Sequence, residues 1–290
     1  MPEREIIRSR QNRNVVELCK LTDRKERERS RTFRFDGIKL LQEAIRNRLE
    51  LQTIFLRESD GERILQELET ESAGDGREPL PRILTLSDDL FDRVSEEKSP
   101  DGVISIAKYI DKFQKIVTIY NSADFSELSE ESIVLLESVR DPSNIGAIIR
   151  SAAAIGVDRL ILSKDCADIY HPRAVRASMG TLFNQKIDRV EDFTGTIRGL
   201  TAAGRRVFAA ALLPQAELLG SFPTEKGDCV VIGNEGNGIT PQTAEACGRS
   251  VLIPMSGRAE SFNAAVAASI LMWEFRKSAM KEQTQQTSKR

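Results

Sequence analysis

Five short apolar runs recur after residue 132: "IVLLES", "RLILS", "RVFAAAL", "CVVIG" and "VLIPM". They are apolar nearly throughout. A strand with one face in water alternates apolar and polar residues; a strand covered on both faces has no reason to. Short helical segments separate the runs, and this alternation is what a parallel sheet with helical crossovers requires. The spacing predicts an α/β fold with a parallel sheet over residues 133–277. Such sheets hold ligands at the carboxyl ends of their strands, so the loops after these runs are where chemistry is expected.

Residues 1–112 read as a second, smaller α/β domain. "SRTFRFDGIKLLQEAIRNRLELQTIFL" (30–56) predicts a short strand or turn, an amphipathic helix with Ile38, Leu41 and Ile45 on one stripe, and a strand. Residues 58–82 read as a helix and an exposed loop. "RILTLSDDLFDRVSEEKSPDGVISIAKY" adds a strand, a helix with Ser87 as N-cap, a Pro-Asp-Gly turn and another strand. Residues 113–132 read as a linker containing a possible strand. Residues 278–290, ending in "KEQTQQTSKR", read as a disordered tail.

At 290 residues the chain is long enough for two domains with real cores. No apolar run approaches the roughly 18 residues of a membrane span. The start, "MPEREIIRSR", has no apolar h-region, so no signal peptide is expected. The four cysteines (Cys19, Cys166, Cys229 and Cys247) form no C-x-x-C pair. That argues against a zinc site or a disulfide framework and for a cytoplasmic protein without a metal. The net charge of −2 argues mildly against a generic nucleic-acid binder. Residues 1–32 nevertheless hold ten Lys and Arg against six Asp and Glu. A solvated helix face explains that excess as well as a nucleic-acid contact does.

Three stretches carry chemistry. "VVIGNEGNGI" (230–239) runs from a buried strand into a glycine loop. It has neither the G-x-x-x-x-G-K-[ST] order of a P-loop nor the G-x-G-x-x-G order of a dinucleotide loop, and no lysine. Its backbone could hold a base or ribose, or the glycines could serve a tight turn alone. "ESVRDPSNIGAIIRSAAAIG" (137–156) predicts a strand end and a turn at Pro142. A helix then follows with Asn144 as a possible N-cap. Ile145, Ile148, Ile149 and Ala152 form its buried stripe, and Arg150 points roughly opposite. In "VLIPMSGRAESFNAAVAASILMWEF" (251–275), Ser261 or Asn263 caps a helix that is apolar nearly all round as far as Glu274.

Together these stretches resemble the three signature motifs of the SpoU (TrmH-type) RNA ribose 2′-O-methyltransferases: "DPSNIGAIIRSAAAIG", "VVIGNEGNGI" and "LIPMSGRAESFNAAVAASI". "RASMGTLF" (176–183) also fits. The resemblance is strong over 133–277. It extends weakly to 1–110, where "TFRFDGIKLLQEAI" and "SPDGVISI" are similar to the family's small substrate-binding domain. Asp36 stands where the family usually has Glu, and Phe262 where Leu is common. The resemblance implies a SPOUT-type parallel-sheet domain with a C-terminal trefoil knot, preceded by an RNA-binding domain.

It further implies S-adenosylmethionine held by Ile232, Gly233, Asn234, Gly236, Gly238, Ile253, Met255, Ser261, Phe262 and Asn263. That ligand has no phosphate, which accounts for the missing lysine. A side chain at Gly233 is expected to fill the ligand's space. Arg150 is implied to grip the target phosphate and stabilise the developing alkoxide, with Asn144, Glu235, Ser261 and Asn263 orienting the reactants. The only histidine, His171, lies outside the motifs.

A homodimer is implied, with Ala268 expected inside its interface. The implied substrate is RNA, large-subunit rRNA first and tRNA second. A C5 base methyltransferase would need a cysteine nucleophile in a ligand loop, and none lies in one. A non-catalytic RNA-binding protein on the same fold would lack the motif arginine or asparagines.

Overall fold

The computed structural model describes residues 5–72, 81–117, 120 and 122–287, and it falls into two compact units. The first comprises the chain up to Ile110 together with Asp168–Phe183; the second comprises Asp111–Ala167 and the chain from Asn184 onward.

The first unit begins with β1 (Ile6–Ile7), α1 (Arg13–Lys20), α2 (Arg24–Ser30), β2 (Thr32–Asp36) and α3 (Ile38–Arg46). It continues with β3 (Leu51–Arg57), α4 (Gly61–Ser72), β4 (Arg82–Leu86), α5 (Asp88–Val94) and β5 (Val103–Lys108). The strands lie in the order β1-β4-β3-β5-β2. The first three run parallel, and β5 is antiparallel to both of its neighbours. Val15 and Leu18 of α1 close a core with Phe55, Leu86, Phe91 and Ile104. The inner stripe of α3 is Leu40, Leu41 and Ala44; Ile38 and Ile45 are only half-buried. Ser87 is the N-cap residue of α5 but makes no capping bond with its side chain. Much of the loop expected before Arg82 lies outside the described residues.

The second unit carries β6 (Gln114–Val117), α6 (Ser122–Glu127), β7 (Ile133–Leu136), α7 (Pro142–Ile155) and β8 (Arg159–Ser163). The chain then supplies α8 (Pro172–Ser178) to the first unit. The second unit resumes with β9 (Lys186–Val190), α9 (Phe193–Ala202), β10 (Val207–Ala210), β11 (Glu217–Leu218), β12 (Cys229–Ile232), α10 (Pro241–Cys247), β13 (Gly248–Leu252) and α11 (Ala264–Thr287). All its strand pairs are parallel, in the order β11-β13-β10-β12-β7-β8-β9-β6. Strands β7 and β12 are buried at every position, as their unbroken apolar runs require. Strand β13 lies between β10 and β11, although the chain visits it after both. Phe222, on the β11–β12 connection, stacks on Phe208 of β10 at 5.1 Å and meets Phe275 of α11 edge-on at 6.3 Å.

Four expectations change. Residues 113–132 are not merely a linker: β6 pairs with β9 and extends the large sheet. Residues 133–277 do not form one body either, because Asp168–Phe183 belongs with the N-terminal unit. Arg27 explains why. Its guanidinium is 1% exposed and bonds the carbonyls of Leu21 and Thr22, which leaves its charge to Asp168, 2.6 Å away. Breaking a pair of this kind costs about 3–5 kcal/mol, since a buried charge is stranded. Tyr170 and Phe183 add rings to those of Phe33 and Phe35. Third, the tail expected from 278 is helical to Thr287, and 288–290 lie outside the described residues. Fourth, Ala268 is fully buried within its own chain, and among the described residues the large apolar side chains that α11 leaves exposed are Val266 and Trp273.

Candidate active site

The N-terminus of α7 is capped by Asp141, whose side chain accepts from Ser143 N at 2.7 Å, and Pro142 opens the helix, where its missing N–H costs nothing. Asn144, expected as a cap, therefore stands inside the first turn with its amide free. Asn144 Nδ2 donates to Glu235 Oε1 at 2.7 Å, and Asn144 Oδ1 accepts from Asn263 Nδ2 at 3.0 Å. Asn263 Oδ1 in turn accepts from Ala265 N and Val266 N, capping α11. An ionised carboxylate only accepts, so Glu235 dictates which way each amide faces. One residue from each of the three motifs is thereby joined in one directional chain.

Asn234 shapes the glycine loop. Its Oδ1 accepts from Gly236 N and Asn237 N, its Nδ2 donates to the Ser138 carbonyl, and its backbone bridges to Gly238. Gly233 lies so close to the loop's return that a Cβ there would stand 2.3 Å from Gly238 C. The reason for glycine is thus the loop's own backbone, which corrects the expectation of ligand clearance alone. Gly238 has φ +66° and open space around it.

A cavity of about 610 Å³ lies at the carboxyl ends of β10, β12 and β13. Ile232, Gly233, Asn234, Gly236, Gly238, Ile253, Met255, Ser261 and Phe262 all line it. Asn263 does not, because its side chain is occupied by Asn144 and the α11 cap. That volume suits a small-molecule ligand. Ala210, Ala211 and Leu212 also line it. The strand-end rule applied to "RVFAAAL" would have found them. Glu137, at the end of β7, was missed as well; its carboxylate takes bonds from Thr240 and Thr243, and only its position after a buried strand hinted at it. Arg150 is exposed on α7 and does not line the cavity; among the described residues it makes no hydrogen bond or ion pair.

His171 belongs to the first unit, where it caps α8. Burial pushes the Cys229 thiol up to about 11 and the Cys247 thiol up to about 12. Neither is a nucleophile near neutral pH, since only the thiolate attacks.

Residues 131–273 match the model of the SpoU rRNA Methylase family, and residues 12–105 match the MRM3-like substrate binding domain. A putative TrmH family tRNA/rRNA methyltransferase of Staphylococcus aureus is 31% identical over 56% of this chain and 68% of its own length. The chain belongs to the SpoU family. Another SpoU relative, the 23S rRNA (guanosine(2553)-2'-O)-methyltransferase RlmP of Bacillus subtilis, is 29% identical over 93% of this chain and 98% of its own. An AdoMet-bound rRNA methyltransferase from Sinorhizobium meliloti superposes with a TM-score of 0.75 at 26% identity, covering 94% of this chain and 98% of that one.

Proposed function

We propose that the protein transfers a methyl group from S-adenosylmethionine to a ribose 2′-hydroxyl in large-subunit ribosomal RNA. The observation that carries this reading is the chain Glu235–Asn144–Asn263 beside a strand-end cavity lined by no lysine or arginine. RlmP, similar along almost its full length, is named for that activity on 23S rRNA. The rRNA methyltransferase of S. meliloti is named as AdoMet-bound.

The cavity residues fit such a cofactor. Loop 233–238 offers backbone groups and no cationic side chain, and Met255 and Phe262 supply exposed apolar surface for a base. The cofactor, when bound, supplies an electrophilic methyl group. Ser261 lines the same cavity and offers a hydroxyl there. Arg150 holds the target phosphate and stabilises the negative charge that develops on the 2′ oxygen as its proton passes to water. The directional amide chain keeps α7, and so Arg150, in register with the glycine loop. The N-terminal unit selects the RNA, and the protein works in the cytoplasm. No helix among the described residues is long and apolar enough to cross a membrane.

Two features of architecture belong to this reading. The connection from β10 through β11 to β12 passes around β13, which favours a trefoil knot with α11 beyond it. Val266, half-buried Ile270 and Trp273 form an apolar stripe on α11, which favours a two-fold dimer through that face. Arg150, outside the cavity of its own chain, then serves the partner's cofactor.

The test is methylation of unmodified rRNA by the purified protein, followed by mapping of 2′-O-methyl positions. Arg150→Ala is expected to reduce kcat by about a hundredfold or more while leaving cofactor affinity unchanged. Trp273→Glu is expected to yield monomers by light scattering, with transfer lost. Methylation confined to tRNA would replace the rRNA assignment. Transfer undiminished in Arg150→Ala would remove the arginine from the mechanism.

A further inference from the structure

Glu137 is a buried carboxylate, 6% exposed, that takes no part in the chemistry above. Its Oε1 accepts from Thr240 Oγ1 at 2.8 Å and from Thr243 Oγ1 at 2.6 Å, and its Oε2 accepts from Thr240 N at 2.9 Å. Thr240 is the first residue after the glycine loop and caps α10; Thr243 is completely buried. The next residue, Ser138, is held in the left-handed region at φ 54°, an unfavourable conformation for a side-chain-bearing residue. Three bonds hold it there. Ser138 N donates to Ser163 Oγ at 2.9 Å, Ser138 Oγ donates to Asp165 Oδ2 at 2.5 Å, and the Ser138 carbonyl accepts from Asn234 Nδ2 at 2.8 Å. The loop is therefore gripped at both ends by two consecutive residues of β7's exit: Ser138 holds its beginning, and Glu137 holds its end.

We propose that Glu137 is a positioning residue for the cofactor, one that with Ser138 holds residues 233–239 in their binding shape before the ligand arrives. A loop ordered in advance does not spend binding energy on ordering itself. Glycine-rich backbone has the most freedom to lose, so this loop gains most from such a grip. A strained turn retained at Ser138 is consistent with a requirement of the site rather than of the sheet. The proposal rests on the assignment of the cavity to S-adenosylmethionine.

The experiment separates positioning from stability in the full-length protein. Thr243→Val keeps the side chain's shape and removes the hydroxyl that Glu137 accepts. Thr243→Ser keeps the hydroxyl and leaves a methyl-sized gap in the core. Calorimetric Kd and KM for S-adenosylmethionine are expected to rise about tenfold in Thr243→Val and to stay within about twofold of wild type in Thr243→Ser. The kcat at saturating cofactor should change little in either variant. Melting temperature is expected to fall in Thr243→Ser without any matching loss of affinity. Glu137→Gln should behave like Thr243→Val. If Thr243→Val does not fold, Thr240→Val on the exposed side of the carboxylate makes the same comparison.

Wild-type affinity in folded Thr243→Val and Glu137→Gln would overturn the proposal. So would affinities that simply follow melting temperature across the set. Ala267→Phe, which fills the cavity from α11, is the control for the site itself. If it leaves cofactor affinity intact, the cavity assignment fails; if it abolishes binding while Thr243→Val binds normally, the role of Glu137 alone fails.

Discussion

Gly233 has no room for a β-carbon, and the obstacle is the return of its own loop at Gly238. Gly233→Ala should therefore act on the loop before it acts on any ligand. Forcing that contact costs about 1–3 kcal/mol of local strain. The expected result is loss of cofactor binding together with faster amide exchange across 233–239, while exchange in β7 and β12 stays slow. A variant that lost affinity with normal exchange in the loop would restore the simpler view of a side chain occupying ligand space. Asp36 makes a related point. It holds Arg34 at 2.8 Å and accepts from Ser95 Oγ and Glu96 N, so the family's usual Glu has been exchanged for a buried anchor of the loop after α5. At Asn144 the difference between a cap and a relay depended on one residue, because Asp141 had already taken the cap.

Several short helices in this molecule carry side-chain caps. Helix α8 is seven residues long, and the Nδ1 of His171 accepts from Arg173 N at 3.2 Å. Burial, then Arg27 and Arg173, lower the His171 pKa below its ordinary 6.5; Asp168 and Glu96 oppose them. A lowered histidine contributes stability that is fully present above its unfolded value and lost as pH falls through the folded one. Protonation also removes the acceptor on which the cap depends. Unfolding midpoints in urea are thus expected to fall between about pH 7.5 and about pH 5, and to fall less in His171→Asn, which can accept at either pH. Equal falls in both proteins would show that some other group titrates. Helix α11 shows tertiary context at work. Read alone, it is apolar on nearly every face, yet α7 buries Ala268 and Ser269 bonds Ser151 at 2.8 Å, leaving Val266 and Trp273 outside.

At the scale of the whole molecule, the N-terminal unit is completed by a segment from the methyltransferase half. A protein beginning near residue 113 would keep Asp168–Phe183 but lose everything that covers it. Phe183, fully buried in the intact chain, and Tyr170, 5% exposed, would lie open, and Asp168 would lose Arg27. Such a truncation is expected to aggregate or to melt well below the intact protein. A version that also replaces 168–183 by a short polar linker should remain soluble and bind cofactor. Calorimetry and size exclusion decide between them. A soluble simple truncation with normal affinity would mean that the segment is held by its own half.

The parallel sheet and the two-part organisation were legible in the chain because each rests on local pattern, whereas the meeting of loops 232–239 and 253–263 at one cavity was implied only by the resemblance to the SpoU family. Buried parallel strands must be apolar throughout, glycines must stand where backbones crowd, and ligands gather at strand ends. Non-local pairings were not legible. Nothing in "DKFQKIVTIY" marks β6 as the outer strand of the large sheet, since a four-residue edge strand carries little pattern of its own. Nothing near Asp168 announces a buried arginine 141 positions earlier. The grip of Glu137 on Thr240 and Thr243 spans more than a hundred residues and exists only because β7 and β12 are neighbours. Periodicity reports what each segment needs to bury, whereas the identity of the partner that buries it is a property of the folded chain alone.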